Sequence, residues 1–98
     1  MNILLVCNAG MSTGIMQVKL TDELKSRNIE GTVKATALAE INEYADKFDV
    51  ILLGPQIRFA LSEVKEKAKD KLVMVIAPQD FGTMNAKKVM DDILKEAK

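Results

Sequence analysis

The chain has 98 residues, 48% of them hydrophobic, with 14 Lys and Arg balanced by 14 Asp and Glu. That length suits one small domain, residues 1–98, near the size at which a single core is adequate but not generous. The even charge balance supplies no basic field for a phosphate backbone, which argues against a nucleic-acid partner. A single cysteine cannot close an internal disulfide, and the absence of histidine removes the commonest general base, the commonest metal ligand and the usual phosphorylated nitrogen. Any covalent chemistry must then rest on the thiol, a carboxylate, a hydroxyl or a lysine, and the lone thiol fits a reducing cytoplasm. The apolar start is only a few residues long and lacks a positive leading region, so neither a signal peptide nor direct membrane insertion is expected.

Ile3 to Val6 is a continuous, partly β-branched apolar run, the pattern of a strand covered on both faces. The stretch Cys7-Asn8-Ala9-Gly10-Met11-Ser12-Thr13 comes next as a loop. Met16, Leu20 and Leu24 then recur at a helical interval between charged residues, which predicts an amphipathic helix starting near Thr13, with Ser12 or Thr13 as N-cap and Asn28 as a left-handed C-cap. Thr32 to Thr36 alternates and is β-branched, so it reads as a second strand near a sheet edge. Leu38, Ile41 and Ala45 suggest a short helix.

Asp49 to Leu53 reads as a third strand, stopped by Gly54-Pro55. Ile57, Ala60, Leu61, Val64 and Ala68 have helical spacing, Leu72 to Ile76 reads as a fourth strand ended by Pro78, and Ala86, Val89, Met90, Ile93, Leu94 and Ala97 form a regular apolar stripe behind the N-cap residue Asn85. Strands and helices alternate throughout. The fold class is therefore α/β: a four-stranded parallel sheet flanked by helices on both faces, with a Cys-containing phosphate-binding loop after the first strand.

In such sheets ligands sit beyond the carboxyl ends of the strands, where strand order reverses. Three segments of unusual composition leave those ends: residues 7–13, Gly54-Pro55-Gln56, and Pro78-Gln79-Asp80-Phe81-Gly82, which is read as a loop. Taken alone, Cys7 at a strand end reads as a small core residue. The small and polar run behind it, leading to a helix N-terminus whose amides favour an anion and whose dipole favours thiolate, points instead to a nucleophile carrying a phosphoryl group. The amides from Asn8 through Ala9, Gly10, Met11 and Ser12 to Thr13 would form the cradle.

No Arg or Lys lies between Cys7 and Gln17, whereas a thiol phosphatase built on a Cys-x5-Arg loop needs a bidentate arginine. Amides alone suit handing the group onward. Gln56 and Gln79 are candidate amide donors at the rim or plain loop polarity, and Pro55 shapes a turn or meets a partner. Asp80 is a candidate general acid, although a cap or solvent-facing role suits it better. Met11 and Phe81 are apolar residues on loops, packing across the site, meeting a partner or tucking into the fold. Two rivals remain open: a low-molecular-weight thiol phosphatase or arsenate reductase, and a non-catalytic module in which Cys7 is core.

Cys7 to Thr13 after a first strand, Leu52-Leu53-Gly54-Pro55-Gln56-Ile57 after a third, and Phe81-Gly82 followed by Met84-Asn85 near Lys88-Val89 resemble the enzyme IIB components of the bacterial sugar phosphotransferase system, in the branch of lactose and cellobiose (or chitobiose) type. The likeness spans the chain in length and element order. It implies a phosphocysteine at Cys7, a phosphohistidine of enzyme IIA as donor, and as acceptor a sugar, such as cellobiose or chitobiose, held by the membrane permease enzyme IIC. It also implies no metal and no organic cofactor, and a cytoplasmic place at the inner face of the membrane through enzyme IIC. A chain without a fused permease looks more like the cellobiose and chitobiose members. Members often have Tyr where Phe81 stands and Gly where Ala86 stands. The permease chiefly chooses the sugar.

Overall fold

The computed structural model describes residues 1–7 and 11–97, with side chains for 1–7 and 14–97. Four strands, β1 (Asn2–Cys7), β2 (Thr32–Ala37), β3 (Val50–Leu53) and β4 (Leu72–Val75), form a parallel sheet in the order β2-β1-β3-β4. Strand β1 is therefore hydrogen-bonded on both sides, and Ile3 to Val6 are fully buried, as their unbroken apolar run requires. Strand β2 lies at one edge, as its alternating pattern predicts.

The pleat divides β1 between two cores. Ile3, Leu5 and Cys7 face one layer with Met16, Leu20 and Leu24 of helix α1 (Met11–Ser26) and Val89, Met90 and Ile93 of the last helix, α5 (Ala86–Glu96). Leu4 and Val6 face the other with Ile41 of α2 (Ile41–Tyr44), Phe48, Ile57, and Val64 of α3 (Leu61–Lys67). Helices thus cover both faces, as the alternation of elements predicts.

The caps predicted at Asn28 and Asn85 are present where the physical chemistry puts them. Asn28 takes φ 58°, the Ile29 amide bonds the Leu24 carbonyl at 2.9 Å and the Asn28 amide bonds that of Lys25 at 3.1 Å, so the carbonyls orphaned at the end of α1 find partners. Asn85 Oδ1 accepts from the Lys88 amide at 3.2 Å and caps α5.

Three local readings are corrected. Helix α1 begins at Met11, so Ser12 and Thr13 lie in its first turn and do not precede it as caps. There the unpaired amides make no demand on helix propensity, so polar residues are tolerated. The segment Pro55–Ala60 is a 3₁₀ turn kinked at Ile57, and regular helix starts only at Leu61. Finally, Pro78–Gly82 is a short helix, α4, not a loop: Pro78 has the φ that its first turn needs, and the Phe81 amide closes onto the Ala77 carbonyl at 3.0 Å.

The end of α1 is tied to the middle of α5 by Arg27, which bonds Asp91 at 2.8 Å and Glu23 at 3.0 Å. The bond to Arg27 holds the Asp91 carboxyl below its usual value of 3.8. A depressed carboxyl contributes stability above that value and loses it as pH falls through the lowered one. Arg27→Met is therefore expected to lower the urea midpoint at pH 7, and to lower it by less as the pH falls below the usual carboxylate range. Met90 is fully buried between α5 and the sheet, and Met90→Ala should cost about 2–5 kcal/mol in the same unfolding experiment, with the sheet retained by circular dichroism.

Candidate functional site

Strand β1 has β2 on one side and β3 on the other, so the order reverses between β1 and β3. Cys7 is the last residue of β1 and stands at the end of the sheet where the crevice opens. Its register partner in β2 is Ala37, while on the β3 side the last pair is Val6 with Leu53. The sulfur therefore stands one residue beyond the end of β3.

The turn leaving β3 folds back over it. The Gly54 amide bonds the Val6 carbonyl at 2.9 Å, the Ile57 amide bonds the Gly54 carbonyl at 3.0 Å, and Pro55 begins the 3₁₀ turn between them. This turn carries the exposed side chain of Gln56 to Cys7, whose Sγ–H donates to Gln56 Oε1 at 3.7 Å. Gly54 is favoured by this close approach and not by its backbone angles, which any residue adopts. A Cβ there would stand 3.0 Å from Cys7 Sγ and 2.9 Å from Gln56 Oε1.

Cys7 itself is only 5% exposed. Beneath it lie the residues of the α1 and α5 core, Phe81 among them, and Gln56 stands at its mouth. The thiol is thus at a threshold between core and solvent. Helix α1 starts four positions after it, and among the described residues the amides of that first turn are the donors that follow it most closely in sequence. Asn8, Ala9 and Gly10, and the side chains of Met11, Ser12 and Thr13, lie outside the described residues.

At the third segment two expectations are corrected. Phe81 lies on a helix and not on an exposed loop, and of the readings open for it the structure takes the inward one: it is 5% exposed, turned by α4 into the core that also holds Cys7. Asp80 does not face solvent either. It is buried on the inner side of α4, with Lys88 Nζ 3.9 Å from its Oδ2 and the Asn85 amide on its backbone carbonyl at 2.8 Å. Lys88 itself is bonded to Asp92 at 2.8 Å, and that bond, helped by the field of Asp80, holds its ammonium above the usual lysine value. Asp80 therefore fastens α4 to α5 and its charge is balanced from within the protein. Gln79 is exposed on α4, and among the described residues no hydrogen bond joins its side chain to Cys7.

Two features of the site are not foreseen from the sequence. Phe59 is 77% exposed on the turn that carries Gln56. Its signal was available, since it falls off the stripe formed by Ile57, Ala60, Leu61 and Val64. The close approach of Gly54 to sulfur had no such signal, because it depends on two strands being neighbours.

The family model described as the lactose/cellobiose-specific IIB subunit of the phosphotransferase system matches residues 2–92. The chain is 31% identical over 94 residues, 94% of its length and 91% of the relative's, to an oligo-β-mannoside-specific EIIB component of Bacillus subtilis. It is 36% identical over 95 residues, 90% of its length and 88% of the relative's, to a galactose-specific EIIB component of Lactococcus lactis. Among solved structures, the cellobiose-specific IIB component of Borrelia burgdorferi superimposes with a TM-score of 0.73 at 44% identity, covering 93% of this chain and 85% of that one. The shared sheet, the thiol that ends its central strand and these likenesses together establish that the chain belongs to the lactose/cellobiose-specific IIB family of the sugar phosphotransferase system.

Proposed function

We propose that Cys7 carries the phosphoryl group. It accepts that group from a phosphohistidine of an enzyme IIA and delivers it to a sugar held by a membrane permease, enzyme IIC. The observation that carries this reading is the placement of the chain's one thiol at the carboxyl end of the central strand, in the crevice where strand order reverses and just ahead of a helix N-terminus.

In the first half reaction the S–P bond forms as the N–P bond breaks in line. The N–P electron pair stays on the donor imidazole, and the proton given up by the thiol leaves that imidazole neutral. In the second, the sugar hydroxyl oxygen attacks phosphorus, the S–P bond breaks toward sulfur, and the hydroxyl proton restores the thiol. The first-turn amides of α1, with the main chain from Asn8 to Gly10, hold the phosphoryl oxygens. Main-chain dipoles bind such a group without the fixed guanidinium that a hydrolytic loop uses, which favours passing it on. Neither step calls for a metal or an organic cofactor.

The partner surface is drawn around the same end. Phe81, buried, is replaced in that role by Phe59, which stands beside Pro55 and Gln56, and by Ile15, 54% exposed one turn into α1. Among the described residues no helix is long and apolar enough to cross a membrane, which supports work in the cytoplasm with membrane contact made through enzyme IIC. The relatives act on different sugars by name, and a β-linked disaccharide such as cellobiose or chitobiose is the acceptor proposed here.

Two measurements bear on this. Incubation with phosphoenolpyruvate, the upstream carriers and a cognate enzyme IIA should add one phosphoryl group by intact mass. The addition should be absent in Cys7→Ser and removable with iodine, whereas no addition from several competent donors would overturn the reading. Gly54→Ala should fold but push sulfur and Gln56 apart, slowing acceptance of the group on the order of tenfold in quenched-flow mass spectrometry.

A further inference from the structure

Sulfur in this protein has a side-chain neighbour as well as a main-chain one. The thiol is 5% exposed, and the group standing at its mouth is the carboxamide of Gln56, whose Oε1 accepts the S–H at 3.7 Å. The turn that brings it there passes close to sulfur at Gly54, where a Cβ would crowd both Cys7 Sγ and Gln56 Oε1.

A carboxamide presents an acceptor and a donor in nearly the same shape, and turning it end for end exchanges them. With its oxygen toward sulfur it matches the thiol. With its nitrogen toward sulfur it matches the thiolate, which is the form that attacks phosphorus. The two contacts differ in strength: a thiol is a weak donor, while a hydrogen bond given to an ion is about twice as strong as a neutral one.

We infer that Gln56 is a positioning residue for the reacting sulfur, accepting from the thiol at rest and reversing to donate to the thiolate, so that one side chain holds the atom in place through both states. The inference rests on the reading of Cys7 as the group that reacts. When the thiol of the isolated chain ionises, the S–H bond breaks, its electron pair stays on sulfur and the proton goes to water. The reversed carboxamide then supplies an N–H donor where water has little access. Glu, of the same size, has no donor to offer and brings a like charge beside the thiolate.

The rate of alkylation of Cys7 by iodoacetamide, followed by intact mass across pH 5–11 on the whole chain, reads the thiolate fraction with no phosphoryl donor present. Gln56 is exposed, so Gln56→Ala and Gln56→Glu should fold, and far-UV circular dichroism checks that they do. The pH midpoint of alkylation should rise in Gln56→Ala by about half to one pH unit, the difference expected between an ionic and a neutral hydrogen bond, and by more than about one unit in Gln56→Glu. A midpoint that stays or falls in either variant overturns the inference. A merely structural role for Gln56 would change the rate without moving the midpoint. Because no donor is used, the result is independent of whether the chain accepts a phosphoryl group, so the two readings fail separately.

Discussion

Strand β1 is enclosed on both faces and along both edges, and the rest of the molecule depends on that enclosure. Its side chains alternate between two cores, each sealed by its own helices, so the strand can neither slide nor twist without exposing one layer or the other. Every buried Leu or Ile in it contributes about 2 kcal/mol through the area it removes from water. The cost of shifting β1 by one residue would be the loss of both sets. A residue at the end of such a strand is held in place as firmly as any in the chain, and that residue is Cys7.

Position and exposure are in tension at that point. A sulfur seated in the core would be unreactive, and one on a free loop would have no fixed neighbours. Here the inward side of Cys7 joins the α1 and α5 core, while the turn after β3 brings only a glycine and a carboxamide to its outward side. The small residue is a matter of space, since the Gly54 backbone lies in an ordinary extended region. Asp80 faces Lys88, and Lys88 is held by Asp92. The amides at the start of α1 and the carboxamide of Gln56 are dipolar, and dipoles bind an anion without trapping it.

Family membership and local geometry bear on different questions. Relatives named for oligo-β-mannosides and galactose align over most of this chain, and the structure of a cellobiose-specific relative superimposes on it. On the proposed function, the features around β1 and β3 bear on the group to be carried. On the same proposal, the exposed Phe59 and Ile15, on the elements leaving those two strands, belong to the partner surface.

Much of this was legible in the residues themselves. The order of strands and helices, the parallel sheet, the edge position of β2, the caps at Asn28 and Asn85 and the unusual segments at Cys7 and Gln56 all derive from local pattern, because hydrophobic period and capping chemistry act over a few residues. The misreadings share a cause. Phe81 and Asp80 looked like loop residues since five residues after a proline carry too little periodicity to show a helix, and whether that helix turns them inward depends on α5, which it packs against. That β1 lies between β2 and β3, that Gly54 must be small because sulfur passes beside it, and that Gln56 meets Cys7 across 49 positions of chain are long-range facts. The amino-acid sequence by itself determined which segments become strands and helices and that a thiol ends the first strand. Only the tertiary structure decided what surrounds that thiol, because its neighbours come from the other side of a crossover that no local rule can reach.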